Sequence, residues 1–301
     1  MHSKILVPLD GSKTAEKVLP CARYLAAKFK VPLELLTAID IAEIGAQISP
    51  ENTRFLDTMI TDGLRRSEDY LRTIAATFHD VDVKCTVEKG RSADTIIEKG
   101  EADKAMIIAM ATHGRSGLDR FLLGSVAEKV LRGSANPLLL VRATEETKAE
   151  GMAAFRTIIV PLDGSEVAEK ILPEVADMAK VLATEVILFR AYHVPYTAYA
   201  GDEALYGVNY DEMIAGVRDE ANEYIEKKAA ELRSVGVASV SCLAKEGLAG
   251  DEIIALGNRA PDALIAMCSH GRSGVKRWVL GSITETVVRH SNDPVLVLRA
   301  G

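Results

Sequence analysis

The chain has 301 residues, with 36 Lys and Arg against 43 Asp and Glu, a net charge of -7, 48% hydrophobic and 26% charged residues. That length points to two domains of about 150 residues each; the apolar share excludes a disordered or collagen-like chain, and the acidic balance speaks against a dedicated nucleic-acid surface. The longest unbroken apolar run, Ala105 to Ala111, is far short of the roughly 20 residues of a membrane span, and the start MHSKILVPLD lacks the pattern of a secretory signal, so a cytoplasmic protein with no membrane partner is expected.

In chain order, Lys4 to Leu9 is a continuous apolar run ended by Asp10-Gly11, the pattern of a strand buried on both faces in a parallel sheet. A helix follows, with Ser12 as its cap and Ala15, Val18, Leu19, Ala22 and Leu25 on one face; Pro20 is expected to bend it. Leu33 to Ile39, Val81 to Glu88, Ala105 to Ala111 and Leu138 to Val141 read as four further strands. Helical patterns cover Leu64 to Phe78, Ala93 to Gly100 and Val126 to Arg132. The alternation makes this half a doubly wound, open α/β unit with a five-stranded parallel sheet, whose ligands bind beyond the carboxyl ends of the strands.

The second half repeats the first. Ile5 to Ser12 returns as Ile158 to Ser165, with Asp10 and Asp163 lying 153 residues apart. His113-Gly-Arg-Ser-Gly117 and Leu123-Gly-Ser125 return as His270-Gly-Arg-Ser-Gly274 and Leu280-Gly-Ser282, 157 residues on. Asn136-Pro137 and Asp293-Pro294 keep that second offset. The extra residues therefore fall between the matched pairs Ala38/Ala191 and Cys85/Cys242, a stretch that includes the tyrosine-rich segment Tyr192 to Tyr210. Two tandem domains follow, 1–143 and 155–301, joined by a charged linker at 144–154. The four cysteines form no CxxC pair, so no disulfide framework or zinc site is expected, and they read as buried thiols, with Cys85 and Cys242 in the core.

The chemistry concentrates after the fourth strand of each half. Gly114 and Arg115 lead to Gly124 and Ser125 at a helix start, and Gly271 and Arg272 lead in the same way to Gly281 and Ser282. Glycines admit close approach of backbone to an oxyanion, a helix start adds its unpaired amides and dipole, and the arginine adds a cation. The competing reading is structural: Ser125 with Glu128, and Ser282 with Glu285, have the S-x-x-E spacing of a capping box. Asp10 and Asp163 end the first strands, where a carboxylate can accept from a ribose or an exocyclic amine, or can simply make an Asp-Gly-Ser turn. His113 and His270 have no second ligand at metal spacing. No nucleophile-and-base pair, paired catalytic carboxylates, GxxxxGK[ST] or GxGxxG motif can be assembled, so catalysis is expected to be weak or absent.

These residues resemble the universal stress protein family in its tandem form. Val-Pro-Leu-Asp at 7–10 and 160–163 resembles the family's first-strand ending, and the loops resemble its nucleotide-binding pattern G-x2-G-x9-G-[ST], with the first glycine replaced by Ala111 in one copy and Cys268 in the other. The resemblance implies an adenine nucleotide alpha hydrolase-like fold and a bound adenine nucleotide: ATP, or AMP or ADP, with Mg²⁺ carried on its phosphates. By position it implies adenine near Asp10 and Ala38, or Asp163 and Ala191. Phosphates would then lie on Gly114, Gly124, Ser125 and Val126, or on Gly271, Gly281, Ser282 and Ile283. It further implies pairing of the fifth strands into an intramolecular pseudo-dimer able to dimerise again, and a role as a sensor of stress or energy state. The alternatives are a nucleotide-free dimerising scaffold, favoured by the replaced glycines and the tyrosines, and a slow ATPase.

Overall fold

The computed structural model describes residues 2–47, 55–112, 123–143, 153–193, 210–269 and 280–299. The chain divides into two compact units, Met1–Ala154 together with Leu296–Arg299, and Phe155–Val295.

Unit 1 runs β1 (Ile5–Pro8), α1 (Lys13–Glu16), α2 (Leu19–Phe29), β2 (Leu33–Ile39), α3 (Ile41–Gln47), α4 (Leu56–Ala75), β3 (Val83–Lys89), α5 (Ser92–Ala102), β4 (Ile107–Ala111), α6 (Ser125–Gly133) and β5 (Leu138–Val141). Its strands lie in the order β3-β2-β1-β4-β5 and are parallel throughout, with Ile5 opposite both Leu33 and Ile107, and Ile108 opposite Leu138. Helices on both faces bury the central strands: Ile5, Leu6, Val7, Ile107, Ile108 and Ala109 have no exposed surface. Burying each of the larger of these side chains contributes about 1.5–3 kcal/mol. The strand order reverses at β1, which opens a crevice above the carboxyl ends of β1 and β4.

Unit 2 repeats this as β6 (Thr157–Pro161), α7 (Glu166–Glu169), α8 (Leu172–Leu182), β7 (Glu185–Tyr192), α9 (Tyr210–Ser234), β8 (Val240–Glu246), α10 (Ala249–Gly257), β9 (Ala263–Cys268) and α11 (Ser282–His290); the last strand in chain order, β10 (Val295–Leu298), is grouped from Leu296 on with unit 1. The parallel order is β8-β7-β6-β9. The Ile265 amide donates to the Pro294 carbonyl at 3.0 Å, as Ile108 does to Pro137 at 3.0 Å. The expected α/β architecture with two tandem domains is thus present. No helix among the described residues is long and apolar enough to cross a membrane.

Two expectations are corrected here. Pro20 does not bend a helix: the helix breaks at Lys17, and Pro20 sits in the first turn of the next one, where its missing N–H costs nothing; Pro173 repeats this in α8. Cys85 and Cys242 are not core; they are half-buried on β3 and β8, each held from one side only, by β2 or β7. Only Cys21 and Cys268 are buried. The tyrosine-rich stretch between 194 and 209 and the linker residues 144–152 lie outside the described residues.

Candidate functional site

The end of β1 is shaped by the Asp-Gly-Ser turn. Gly11 adopts φ 81°, a left-handed conformation that glycine takes without strain, and Asp10 Oδ1 then accepts from the Ser12 amide at 2.9 Å and the Ser12 hydroxyl at 2.6 Å. Ser12 in turn caps α1 by accepting from the Ala15 amide at 3.1 Å. In unit 2, Asp163, Gly164 (φ 86°), Ser165 and Ala168 reproduce the arrangement, with 2.9 and 2.6 Å to the aspartate. The turn therefore holds each carboxylate in one orientation at the lip of the crevice. The turn reading and the ligand reading of this aspartate are compatible.

The far wall of the crevice is a helix start. The Gly124 amide donates to the Thr112 carbonyl at 2.7 Å, and the Gly281 amide donates to the Ser269 carbonyl at 2.8 Å, so the end of each central strand is clamped against the following helix. Gly124 and Gly281 are the N-cap residues of α6 and α11, and neither helix has a side-chain cap. This overturns the capping-box reading: Ser125 and Ser282 are the first helical residues instead of the caps. Their would-be glutamate partners turn along the helix, Glu128 to Arg132 at 2.9 Å and Glu285 to Arg289 at 2.8 Å. The first intrahelical bond runs from the Glu128 amide to Gly124, which leaves the amides of Ser125, Val126 and Ala127 without intrahelical partners at the positive end of the helix dipole.

Between these walls lies a cavity of about 360 Å³ in unit 1, lined by Pro8 at the end of β1 with Leu9 and Asp10 just after it, Ala38 from β2, Met110 and Ala111 at the end of β4 with Thr112 just after it, Ser92 and Ile96 from α5, and Gly124 to Ala127. Unit 2 has one of about 290 Å³, lined among others by Asp163, Ala191, Phe189, Cys268 and Gly281 to Thr284. The structure thus brings together five sequence-designated residues in each unit: Asp10, Ala38, Gly124, Ser125 and Val126, and Asp163, Ala191, Gly281, Ser282 and Ile283. Gly114, Arg115, Gly271, Arg272 and both loop histidines lie outside the described residues. Sequence reasoning missed the contributions of Ser92, Glu43 and Thr112 in unit 1 and of Phe189 and Thr284 in unit 2. Nothing in a single-residue motif marks them, since α3, α5 and the strands reach the cavity only through the fold.

Burial pushes the Cys268 thiol up to about 11, so it stays neutral at ordinary pH and behaves as a small apolar side chain. Among the described residues no three His, Cys, Asp or Glu side chains converge as a metal site. The crevice pairs one acidic lip with one electropositive helix start across a mostly apolar floor, which suits an uncharged ring with hydrogen-bonding edges at one end and an anion at the other.

Comparison with known proteins shows the family and the fold. A family model described as the universal stress protein family matches residues 1–142 and again 154–299. A universal stress protein of Methanocaldococcus jannaschii (MJ0577) is 30% identical over 155 residues, spanning 48% of this chain and 95% of its own length. One from Mycolicibacterium smegmatis is 21% identical over 298 residues, 98% of this chain and 96% of its own. Among solved structures, a universal stress protein from Archaeoglobus fulgidus shares the fold over 100% of this chain and 97% of that one, with a TM-score of 0.65 and 22% identity.

Proposed function

The chain belongs to the universal stress protein family, and from that premise we propose that each unit binds an adenine nucleotide, ATP in the first instance with ADP and AMP as the lesser ligands, and that occupancy reports stress or energy state through conformation. The observation that carries this reading is the placement of Asp10 and the start of α6 on opposite walls of one 360 Å³ cavity, at the point where strand order reverses. Asp10 and the backbone at Ala38 would meet the base and ribose, and the amides of Ser125 and Val126 the phosphates; Asp163, Ala191, Ser282 and Ile283 do the same in unit 2. The first cavity lies within the size range of small-molecule sites and the second at its lower edge. The acidic net charge is no obstacle, because the local field at a helix start decides whether a phosphate is attracted. A bound Mg²⁺ would be carried on the phosphates. Heat release of the small molecules that accompany the purified protein, followed by chromatography, is expected to yield an adenine nucleotide; recovery of none, from protein that also takes up none when it is supplied, contradicts the proposal.

A further inference from the structure

We infer that the two cavities are unequal by construction, that unit 1 holds the tight nucleotide site, and that Cys268 and Thr284 are the residues that weaken the second. The inference rests on the nucleotide reading above and deepens it.

The same point of the fold is built differently in the two units. At the end of the central strand, Ala111 in unit 1 becomes Cys268 in unit 2, where the side chain is 4% exposed and its Sγ lies 3.7 Å from the Ala168 carbonyl of α7. At the third position of the following helix, Ala127 becomes Thr284; its side chain is buried and its hydroxyl donates back to the Cys268 carbonyl at 2.9 Å. Both residues line the cavity, between the aspartate lip and the helix start. There, below Asp163 and beside Gly281, the middle of a bound nucleotide, its ribose, must pass. The two substitutions add a sulfur and a branched, hydroxyl-bearing side chain to that floor, and the cavity is smaller, about 290 against about 360 Å³. The hydroxyl brought by Thr284 is already committed to Cys268, so it adds volume without offering its proton to a ligand. Unit 2 also loses a polar group at the wall, since Ala249 of α10 stands where Ser92 of α5 faces the first cavity. Packed interiors yield little to added volume, and a ribose whose hydroxyls lose a partner keeps the desolvation penalty.

The test is equilibrium dialysis of radiolabelled ATP against the full chain, comparing wild type with two double variants. Wild type is expected to show one tight site and a second at least tenfold weaker. Cys268→Ala with Thr284→Ala removes the added atoms and is expected to bring the second site within about threefold of the first. Ala111→Cys with Ala127→Thr transplants them and is expected to remove the tight site. Two equal sites in wild type, or a second site unmoved in the first variant, overturn the inference while leaving nucleotide binding intact. Absence of ATP uptake in wild type and in the Cys268→Ala, Thr284→Ala chain overturns both readings together.

Discussion

The amide of Gly124 donates to the carbonyl of Thr112 at 2.7 Å, and this bond fixes the start of α6 against the end of β4, one wall of the crevice against its floor. Gly281 and Ser269 do the same in unit 2 at 2.8 Å. Because glycine is the N-cap, the helix presents amides and dipole to the cavity with no side-chain oxygen in the way.

Ser125→Asp separates a structural role for this helix start from a binding one. A carboxylate in the first turn favours the helix by about 0.5 kcal/mol, so the melting temperature is expected to hold or rise slightly. The same charge repels a phosphate, so nucleotide affinity of unit 1 is expected to fall tenfold or more. Unchanged affinity in a titration with ATP would refute the placement of phosphates on α6.

Asp10 is tested by comparing Asn with Ala. Asp10→Asn keeps an oxygen for the Ser12 amide and hydroxyl, which now sit at 2.9 and 2.6 Å, and is expected to leave stability within about 0.5 kcal/mol while lowering nucleotide affinity severalfold. Asp10→Ala removes the acceptor altogether and is expected to cost about 1–2 kcal/mol in denaturant unfolding as well. A lesion of stability alone would make Asp10 a turn residue and nothing more.

Much of the fold was legible in the sequence, and the exceptions have physical causes. β2 and β5 occupy the residues expected of them, 33–39 and 138–141, because a strand covered on both faces reads as a largely apolar run, interrupted in β2 by Glu34 and Thr37. α3 was missed because its seven residues include Gly45 and span too little length for a 3.6-residue period to show. The S-x-x-E spacing misled because a capping box and a helix that begins one residue earlier share the same letters; only the N-cap geometry tells them apart. Cys85 and Cys242 misled because periodicity shows which face a residue lies on, but not whether a further strand will cover its own. For the site, Asp10 and Gly124 were visible as repeated motifs, whereas Phe189, Thr284 and Ser92 reach the cavity through tertiary folding that leaves no local signal.

Glu34 is a second feature hidden in an apolar run. Its side chain is 4% exposed and receives Lys4 at 2.7 Å, Lys99 at 3.1 Å and the Thr86 hydroxyl at 3.0 Å. Burial alone would raise this carboxyl, but the hydrogen bonds from Lys4, Lys99 and Thr86 overcome it and hold it down at about 2. The ionised form therefore contributes stability that is fully present above about pH 4.5 and is lost as pH falls toward 2. Glu34→Gln is expected to cost on the order of 3 kcal/mol at neutral pH, with the difference from wild type shrinking on acidification. In unit 2 the equivalent positions are Thr157, Ile187, Leu243 and Leu256, an apolar replacement of nearly the whole cluster.

Asp293 carries the opposite sign. Its counterpart Asn136 donates through Nδ2 to the Asp103 carbonyl at 2.8 Å and the Met106 carbonyl at 3.1 Å, whereas Asp293 Oδ2 is buried with no hydrogen-bond partner among the described residues. Burial raises its carboxyl to about 6, against the smaller opposing effect of the Ser291 hydrogen bond. Stability held by the protonated form is complete below about pH 3.8 and is lost as pH rises through about 6. Asp293→Asn restores the donor and, since the group keeps some access to water, is expected to stabilise unit 2 by about 1–2 kcal/mol at pH 7. The gain should fade below about pH 4; a gain independent of pH, or a loss, would contradict this account.

Equilibrium dialysis of the full chain against sub-millimolar radiolabelled ATP, with and without Mg²⁺, addresses the central claim most directly. The account predicts saturable uptake of at least one nucleotide per chain that falls tenfold or more in Ser125→Asp. No saturable uptake by well-folded wild-type protein would contradict it.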